Sequence, residues 1–441
     1  MSAIWCKRAL VGGQFESAVR VQLDADGRIS AVVVGAEREA LDLALGVVVP
    51  GFANAHSHLF HRALRGRTHA GGGDFWGWRE AMYAVAAGLD PERYRRLAVA
   101  VFAEMLACGY TAVGEFHYVH HRTDGTPYPG HAMELALADA ADETGIRLTI
   151  LDTCYLTGGI SAVLAPEQLR FGDGSAAAWL ERWHALRATL AARPGRLVTL
   201  GAAIHSVRAV PDDAIAAILA GLPADAPLHL HLSEQPAENR DCLAAYGVTP
   251  TGLLSGLGAL SERLTAVHAT HLSADDVALL GAERTSIALC PTTEADLGDG
   301  IGPGRALHDA GARLCVGSDQ NAVVDPLLEL RGLEAGERLA SGTRGVFTPG
   351  ELWAAGGANG YRSLGLGPVR GVAGLAAGDW GDLVELDPAS MRTTGSRLIQ
   401  LPLTATAADV LSTVVGGHLI QNPDPAALLT GALHELETEP V

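Results

Sequence analysis

Residues 47–62, VVVPGFANAHSHLFHR, are the stretch from which we expect the fold of this chain to follow. An apolar run of three valines leads through Pro50 and Gly51 to the pair His56 and His58. In an extended chain, residues two apart point to the same side, so both imidazoles would face one spot. Two imidazoles at the end of a strand are suitable ligands for a divalent metal such as zinc. The alternative is a pair of ordinary surface histidines beside a turn.

The composition is that of a well-packed α/β protein. Hydrophobic residues make up 48% of the 441 residues and charged residues only 19%, with 53 glycines. A chain of this length can bury a core larger than one small domain needs. The net charge of −18 argues against binding to nucleic acid or to an anionic membrane surface. An anionic substrate would therefore need arginines placed locally within its site.

Cysteine usage and the N-terminal segment indicate the cellular compartment. The six cysteines are scattered without a CxxC pair, which is typical of reduced and mostly buried thiols. The first residues, MSAIWCKRALVGG, lack the layout of a signal peptide, and no apolar run approaches the roughly 20 residues of a membrane span. These patterns predict a soluble, cytoplasmic protein.

The pattern of the chain changes near residue 47. Residues 1–46 alternate short β-like runs with turns, which predicts a small antiparallel sheet. Further on, short apolar strands alternate with longer helical patterns, as in βα units with a parallel sheet. The predicted strands are 47–54, 110–116, 147–153, 197–204, 227–232, 264–268, 285–290 and 313–318. Eight such strands predict a (β/α)8 TIM-like barrel, whose active site lies at the C-terminal ends of the strands.

Helical patterns and the C-terminal part complete the predicted organisation. The predicted helices include 91–108, 131–144, 176–190 and 212–219, and Ser273 with Asp276 forms a capping box for a later one. Residues 370–441 contain the string GDWGDLVEL and further β-like pieces. We expect a small β domain formed by residues 1–46 and 370–441, beside a barrel domain formed by residues 47–369.

Polar residues collect where a barrel would place its active site. Besides the first histidine pair, they are Glu115, His117, Tyr118, His120 and His121 after strand two, His205 and Arg208 after strand four, His229, His231 and Glu234 around strand five, His268 after strand six, and Asp319 after strand eight. Each histidine alone could have a structural role. The concentration of so many of the 17 histidines at strand ends favours a metal site.

Spacing alone does not choose between His229 and His231, because both lie on one face of their strand. We expect His231 to be the ligand, since it lies three residues before Glu234, and His229 to pack deeper in the barrel. Asp319 offers a carboxylate oxygen and an acceptor for a proton from water. Three histidines, a carboxylate and a water make a catalytic metal site with an open position. We leave a further group outside the metal shell: His117, His120 and His121.

Several strings resemble the amidohydrolase superfamily, in its deaminase-type subgroup with one metal. They are PGFANAHSH (50–58), HLHLSEQ (229–235), AVHATH (266–271) and GSD (317–319). Four more strings resemble the formimidoylglutamate deiminase family: FWGWREAMY (75–83), GEFHYVHH (114–121), HSVRAV (205–210) and TTEADLGDG (292–300). The resemblance covers residues 47 to about 340. It implies hydrolysis of N-formimino-L-glutamate to N-formyl-L-glutamate and ammonia, a step of histidine degradation.

The resemblance also implies roles for individual residues. The implied metal ligands are His56, His58, His231 and Asp319, with zinc as the expected single ion. The implied acid–base residues are Glu234, His268 and Asp319. The implied substrate contacts are His61, Arg79, Tyr118, His205 and Arg208. The family often has glutamine at position 61 and histidine at position 321, where this chain has His61 and Asn321.

A glutamate derivative with two carboxylates suits the two arginines of the implied site. A guanidinium group stays charged and binds a carboxylate through two hydrogen bonds, so Arg79 and Arg208 could both hold the substrate. Alternatively, they are ion-paired arginines of the kind common in acidic proteins. The expected partner is thus a small-molecule dicarboxylate, with no nucleic acid and no membrane, and a homodimer stays open.

Two other functions stay open at the level of sequence. The first is a deaminase of the same superfamily that acts on another amidine, a guanidine or a nucleobase. The second is a metal-binding protein without turnover, although such a site would not need Glu234 and His268. The run of three glycines at 71–73 lacks the lysine of a phosphate-binding loop and predicts a lid segment over the site instead.

Overall fold

The computed structural model describes residues 3–68, 75–367, 374–421 and 423–437. The strands, in chain order, are β1 (Ala3–Val11), β2 (Gln14–Leu23), β3 (Ile29–Val33), β4 (Leu43–Pro50), β5 (Phe52–Ser57), β6 (Tyr110–His117), β7 (Arg147–Cys154), β8 (Val198–Ile204), β9 (Leu228–Leu232), β10 (Leu264–His268), β11 (Ser286–Leu289), β12 (Arg313–Val316), β13 (Leu383–Leu386), β14 (Val410–Val415) and β15 (His418–Leu419).

The α-helices are α1 (Phe75–Ala87), α2 (Pro91–Ala107), α3 (Ala132–Thr144), α4 (Ala176–Ala191), α5 (Asp212–Gly221), α6 (Pro236–Tyr246), α7 (Pro250–Gly256), α8 (Ala274–Ala282), α9 (Pro291–Leu297), α10 (Gly304–Ala310), α11 (Pro326–Ser341), α12 (Pro349–Gly356), α13 (Ala358–Ser363) and α14 (Pro425–Glu437). Short 3-10 helices lie at Leu59–Leu64, Pro129–His131, Pro166–Phe171, Leu398–Leu403 and Ala407–Asp409. Among the described residues, we find no helix that combines the length and the apolar character needed to cross a membrane.

Eight parallel strands, β5 to β12, form the barrel in sequential order, which confirms the predicted (β/α)8 architecture. The first and last strands meet at a bridge between Ser57 and Asp319. There, the Asp319 amide donates to the His56 carbonyl at 3.0 Å, and the His58 amide donates to the Asp319 carbonyl at 2.8 Å. Gly317 allows this approach, because a Cβ atom at that position would lie 2.7–2.9 Å from atoms of His56. The barrel is therefore closed by the backbone of the residues that carry the predicted metal ligands.

The prediction of one strand over residues 47–54 is wrong. The chain forms β4 up to Pro50, in a different sheet, and enters the barrel only with β5. Gly51 lies at the change of sheet, where a Cβ atom would be 2.0 Å from Oγ1 of Thr111. Only glycine allows this close approach of the two strands. The other seven predicted barrel strands and the four predicted helices are confirmed to within two residues at each end, as is the capping box of Ser273 and Asp276.

The second sheet joins both ends of the chain. Its seven strands lie in the order β15-β14-β13-β4-β1-β2-β3, so β4 lies between an N-terminal and a C-terminal strand. This confirms that the terminal segments form one small β-rich unit. The sheet is mixed rather than antiparallel, because β4 runs parallel to β1 and antiparallel to β13. Its core contains side chains such as Ile4, Val19 and Leu383, which are buried.

Cysteine burial agrees with the reduced thiols expected from the sequence. All six cysteines are free, and five of them are buried. Burial raises the pKa of the Cys6 thiol to about 12, with a smaller contribution from Glu385. Such thiols stay protonated and unreactive at neutral pH.

Arg147, at the start of β7, connects the barrel to the terminal sheet. Its guanidinium donates to the two carboxylate oxygens of Asp382 at 2.6 and 3.1 Å. The Tyr361 hydroxyl donates to the same carboxylate at 2.6 Å. The Arg147 guanidinium also lies over the Trp380 ring, 3.6 Å from its centroid, and Arg28 lies 3.8 Å from the same centroid. The side chains of Arg147 and Asp382 are only 3% and 2% exposed, so the pair is desolvated.

We expect Arg147→Met to lower the free energy of unfolding by about 3–5 kcal/mol, because it leaves Asp382 buried without its partner. Urea denaturation measures this change. The matched control is Arg196→Met, since Arg196 forms an ion pair with Asp26 at 2.8 Å on the surface, and loss of an exposed pair costs at most about 1 kcal/mol. Equal midpoints for Arg147→Met and wild type would show that this pair does not stabilise the junction.

Candidate active site

The structure brings together the four predicted metal ligands. Nε2 of His231 lies 3.3 Å from Nε2 of His58 and 3.3 Å from Nε2 of His56. Oδ1 of Asp319 lies 3.2 Å from Nε2 of His56 and 3.5 Å from Nε2 of His58. All four side chains are buried at the C-terminal ends of β5, β9 and β12. Three imidazole nitrogens and one carboxylate oxygen therefore converge on one point.

Hydrogen bonds at the opposite ring nitrogens determine which lone pairs face this point. Nδ1 of His58 donates to the carbonyl oxygen of Phe116 at 3.0 Å, and Nδ1 of His231 donates to that of His205 at 2.9 Å. Because a carbonyl can only accept, each Nδ1 carries the proton and each Nε2 presents a lone pair. Lone pairs 3.3 Å apart repel one another unless a cation lies between them. The donor set therefore fits a divalent metal ion.

Charge in the site is also suitable for metal binding. Burial lowers the pKa of His56 to about 3 and that of His231 well below its ordinary value. Burial alone would raise the pKa of Asp319, but the hydrogen bond with His56 and the neighbouring imidazoles hold it below its ordinary value. At neutral pH, the site thus has neutral imidazoles and an ionised carboxylate, which are the forms that bind metals.

His268 lies beside the four converging residues. Its Nε2 is 3.9 Å from Oδ2 of Asp319, and its Nδ1 is 3.5 Å from Oε1 of Glu294. The Cys290 amide fixes Glu294 by donating to the same Oε1 at 2.9 Å. Burial opposes protonation of His268, but Glu294 and the charges of Glu234 and Asp319 raise its pKa to about 10. We did not single out Glu294 from the sequence; its only signal was its place in the string TTEADLGDG.

A cavity of about 440 Å³ opens beside this group. The five predicted substrate contacts line it: His61, Arg79, Tyr118, His205 and Arg208. The predicted metal and acid–base residues that line it are His58, His231, Glu234, His268 and Asp319. The cavity therefore combines cations, imidazoles and carboxylates in one space of a size suited to a small molecule. The glycine run at 71–73, predicted to form a lid, lies outside the described residues.

The predicted substrate contacts differ in their partners. Nε2 of His61 lies 3.0 Å from the Tyr118 hydroxyl. Nε of Arg79, in α1, donates to the Tyr83 hydroxyl at 2.7 Å. Arg208 contacts two carboxylates, with Nη2 at 3.1 Å from Glu234 and Nε at 3.0 Å from Glu238. Arg208 thus lines the cavity and is also ion-paired, so both sequence-based interpretations of this arginine describe part of its environment.

Two residues that the sequence left ambiguous have clear positions. Nε2 of His229 donates to the Ser363 carbonyl at 2.9 Å, deep in the barrel and away from the converging ligands. Nδ2 of Asn321 donates to Oγ of Ser57 at 3.2 Å and to the His58 carbonyl at 3.1 Å. Asn321 therefore supports the backbone of the ligand strand and does not line the cavity.

Comparison with known proteins places the chain in a family. Residues 47–420 match the description "Amidohydrolase family". The chain belongs to this family. A formimidoylglutamate deiminase from Pseudomonas aeruginosa is 39% identical over 399 residues, which cover 88% of this chain and 86% of that protein. An 8-oxoguanine deaminase from the same species is 27% identical over 413 residues, which cover 89% and 87%.

Solved structures of amidohydrolases have the same fold. An amidohydrolase from Brucella melitensis is similar with a TM-score of 0.90 and 31% identity, over 99% of this chain and 100% of that one. An adenosine deaminase from Xanthomonas campestris with bound zinc has a TM-score of 0.83 and 23% identity, over 98% and 97% of the two chains. The second likeness, at its low identity, concerns the fold alone.

This amidohydrolase has a second buried group of ionisable residues, between β6, β7, α3 and α4. Oε1 of Glu134 lies 2.8 Å from Nδ1 of His120 and 3.3 Å from Nε2 of His117. Nη1 of Arg182 lies 3.2 Å from the same oxygen and 2.7 Å from Oδ2 of Asp152. The two histidines and Glu134 have donor atoms of the kind that bind metals. Arg182 already supplies a cation at the shared oxygen, so we interpret the group as an ion-pair network.

His120 is held in its charged form by this network. Its Nε2 donates to the Thr153 carbonyl at 2.9 Å, so its Nδ1 needs a second proton to donate to Glu134. Burial and Arg182 lower the pKa of His120, but Asp152 and Glu134 together raise it above its ordinary value of 6.5. A group whose pKa is raised by folding stabilises the folded state fully below its unfolded pKa, and this contribution is lost as the pH rises through the folded pKa.

We expect His120→Gln to lower the free energy of unfolding by about 1–3 kcal/mol at acidic pH, since it removes a charged hydrogen bond. The difference from wild type should shrink as the pH rises above 6.5 and the wild-type imidazolium loses its proton. Urea midpoints between about pH 5.5 and about pH 9 measure it. His184→Gln is the control, because His184 is exposed and contacts only the Gly221 carbonyl among its recorded hydrogen-bond partners. A difference that does not vary with pH would contradict a charged His120.

Proposed function

We propose that this chain hydrolyses N-formimino-L-glutamate to N-formyl-L-glutamate and ammonia. The observation that carries the proposal is a single cavity in which Arg208 and Arg79 face a site of three imidazoles and a carboxylate. The 39% identity to a formimidoylglutamate deiminase over most of both chains supports the same reaction. We place this reaction in histidine degradation and in the cytoplasm. Metal analysis of the purified protein, run with an assay of ammonia release from formiminoglutamate, tests the proposal.

We propose His56, His58, His231 and Asp319 as the ligands of one divalent metal ion, with zinc as the expected ion. When bound, the ion supplies Lewis-acid activation, which lowers the pKa of water from roughly 15.7 toward about 7. The protein contributes the orientation of the ligands, through the carbonyls of Phe116 and His205. It also contributes a buried environment, in which these electrostatic interactions are strong.

Three residues act as acid–base or electrostatic groups in the proposed reaction. Asp319 accepts a proton from the attacking water. His268, held at Nδ1 by Glu294, faces Asp319 with Nε2 and stabilises negative charge that develops on the attacking oxygen. Glu234 lines the cavity and passes a proton to the departing nitrogen. Ammonia leaves because a protonated amine is a better leaving group than an amide anion.

The two carboxylates of the substrate would be held by the cations of the cavity. Arg208 and Arg79 supply charged donors, and the side chains of Tyr118, His205 and His61 supply polar contacts around the formimino group. In a chain with a net charge of −18, a dianion is repelled at long range, so binding depends on these local groups.

The rival function is deamination of another amidine, a guanidine or a nucleobase by the same site. Aromatic rings of Trp78, Tyr118 and Tyr155 line the cavity, and such rings could stack on a planar base. An ammonia-release panel that includes guanine and adenine derivatives beside formiminoglutamate distinguishes the two. The boundary at residue 47 expected from the sequence divides β4, which belongs to the terminal sheet up to Pro50. For the domain organisation, we therefore propose a barrel domain of residues 51–369 and a small β domain of residues 1–50 and 370–441.

His231→Ala should lose both bound metal and activity, because it removes one of the three converging imidazoles. Metal content by elemental analysis and ammonia release measure the two effects. His229→Ala is a matched control, since it removes the other histidine of the same strand. Full metal occupancy with near-normal turnover in His231→Ala would exclude His231 as a ligand.

Glu234→Gln and His268→Asn should each keep the metal and lose roughly 10²–10⁴ in turnover, since both act on protons. Elemental analysis confirms the metal content of each variant before kcat is measured. If either variant retains the wild-type kcat, the acid–base role proposed for the replaced residue is wrong.

Arg208→Met keeps much of the side-chain length and removes the charge-assisted hydrogen bonds, each typically worth about 1.5–3 kcal/mol. We expect kcat/KM for formiminoglutamate to fall roughly ten- to a hundredfold or more. Formamidine, which has no carboxylates, should be a poor substrate of wild type and should not show this loss. Equal losses for both compounds would mean that Arg208 supports the fold rather than binding the substrate.

A further inference from the structure

The guanidinium of Arg208 lies between two carboxylates that differ in their environment. Nη2 donates to Oε2 of Glu234 at 3.1 Å, and Nε forms an ion pair with Oε2 of Glu238 at 3.0 Å. The Glu238 side chain is 0% exposed, whereas that of Glu234 is 15% exposed. Both residues line the cavity, but the Glu238 side chain is shielded from solvent, whereas the Glu234 side chain is partly exposed.

Glu238 is also fixed from its other side. Its Oε1 accepts a hydrogen bond from the Ser233 amide at 3.0 Å. Ser233 has a φ of 49°, a left-handed conformation that a non-glycine residue adopts only when its surroundings impose it. This turn carries the chain from the end of β9 to Glu234. Moving Glu238 away from Arg208 would break the contact with the turn or leave a buried charge unpaired, and both changes are costly.

Glu234 has no comparable anchor among its described contacts. Its recorded side-chain partner in the described residues is Arg208, and its carboxylate faces the cavity. A carboxylate that binds Arg208 through two parallel hydrogen bonds uses Nη2 together with either Nη1 or Nε, and Nη2 already donates to Glu234. Such a ligand would bring a second negative charge next to Glu234 at Nη2. Two carboxylates at one donor repel each other, and the one without a second anchor moves.

We propose that Glu238 is the permanent partner of Arg208 and that Glu234 is an exchangeable partner, which the carboxylate of the substrate displaces. The inference rests on the proposed function, since it names how that site selects its substrate. In the empty site, Arg208 holds Glu234 in an ion pair. When a substrate carboxylate takes over Nη2, Glu234 is released and turns to the departing nitrogen. The carboxylate is thus both a recognition group and the trigger for proton transfer.

This arrangement determines which kinetic constant distinguishes substrates. An amidine without a carboxylate can reach the metal site but leaves Glu234 bound to Arg208. Its turnover therefore stays slow even at saturation, so the discrimination appears in kcat and not only in KM. A carboxylate supplied as a separate molecule should restore part of the missing rate.

The deciding experiment supplies the amidine group and the carboxylate of the substrate as two separate molecules. Metal-loaded wild type is saturated with formamidine. Sodium propionate then replaces sodium chloride stepwise, so that the ionic strength stays constant. We expect propionate to raise kcat for formamidine several-fold. Arg208→Met should show a higher kcat for formamidine than wild type without propionate, and no activation by it. Glu234→Gln should show no activation, because the group to be released is absent.

Calorimetry of glutarate binding tests the role of Glu238 as the permanent partner of Arg208, and it does not require turnover. We expect Glu238→Gln to bind glutarate about tenfold more weakly than wild type, because Arg208 loses its fixed orientation. The control is Glu283→Gln, which removes an exposed carboxylate. Equal glutarate affinity in Glu238→Gln and wild type would overturn the role of Glu238.

The outcomes separate this inference from the proposed function. If wild type releases no ammonia from formiminoglutamate, the proposed function fails and the inference fails with it. If wild type turns over formiminoglutamate but propionate does not activate formamidine hydrolysis, or activates Arg208→Met equally, the proposed function stands and the exchange of partners is wrong.

Discussion

The constraint on which the rest of this structure depends is the close approach of β5 and β12 at the point where the barrel closes. Backbone hydrogen bonds between His56, His58 and Asp319 form the closure, and Gly317 is the residue that permits it. These bonds place ligands from the two ends of the barrel sequence side by side. The proposed metal site therefore does not need a separate scaffold, because closing the barrel brings together three of its four proposed ligands.

Much of the fold and of the donor set could be predicted because each signal is local. Apolar strands alternate with helices, and the histidines follow the strands directly. The break at Gly51 had a local signal in the dipeptide Pro50-Gly51, which marks turns. The contact that requires glycine there, with Thr111 on the neighbouring strand, could not be read from the sequence. The contacts between individual side chains could not be predicted from the sequence either. Glu134, Asp152 and Arg182 come from three elements, and nothing in the sequence shows that they meet around His120.

The proposed substrate raises the question of how an acidic protein would hold an acidic ligand. Protein carboxylates accompany one arginine of the cavity, so that its charge is already compensated. This arginine is Arg208, which pairs with Glu234 and Glu238. Under the proposed exchange, a dianion binds by replacing a protein carboxylate, so selectivity depends on exchange rather than on simple attraction.

The position of β4 between β1 and β13 has a consequence for biosynthesis. The ribosome releases β4 early, but its antiparallel partner Leu383–Leu386 follows more than 300 residues later. At about 5–20 residues per second, β4 waits as an unpaired edge for roughly 15 s to a minute. Exposed apolar edges recruit other strands, and Val48 and Val49 of this strand are fully buried in the folded structure. One edge of β4 therefore stays without its antiparallel partner until Leu383–Leu386 has been synthesised.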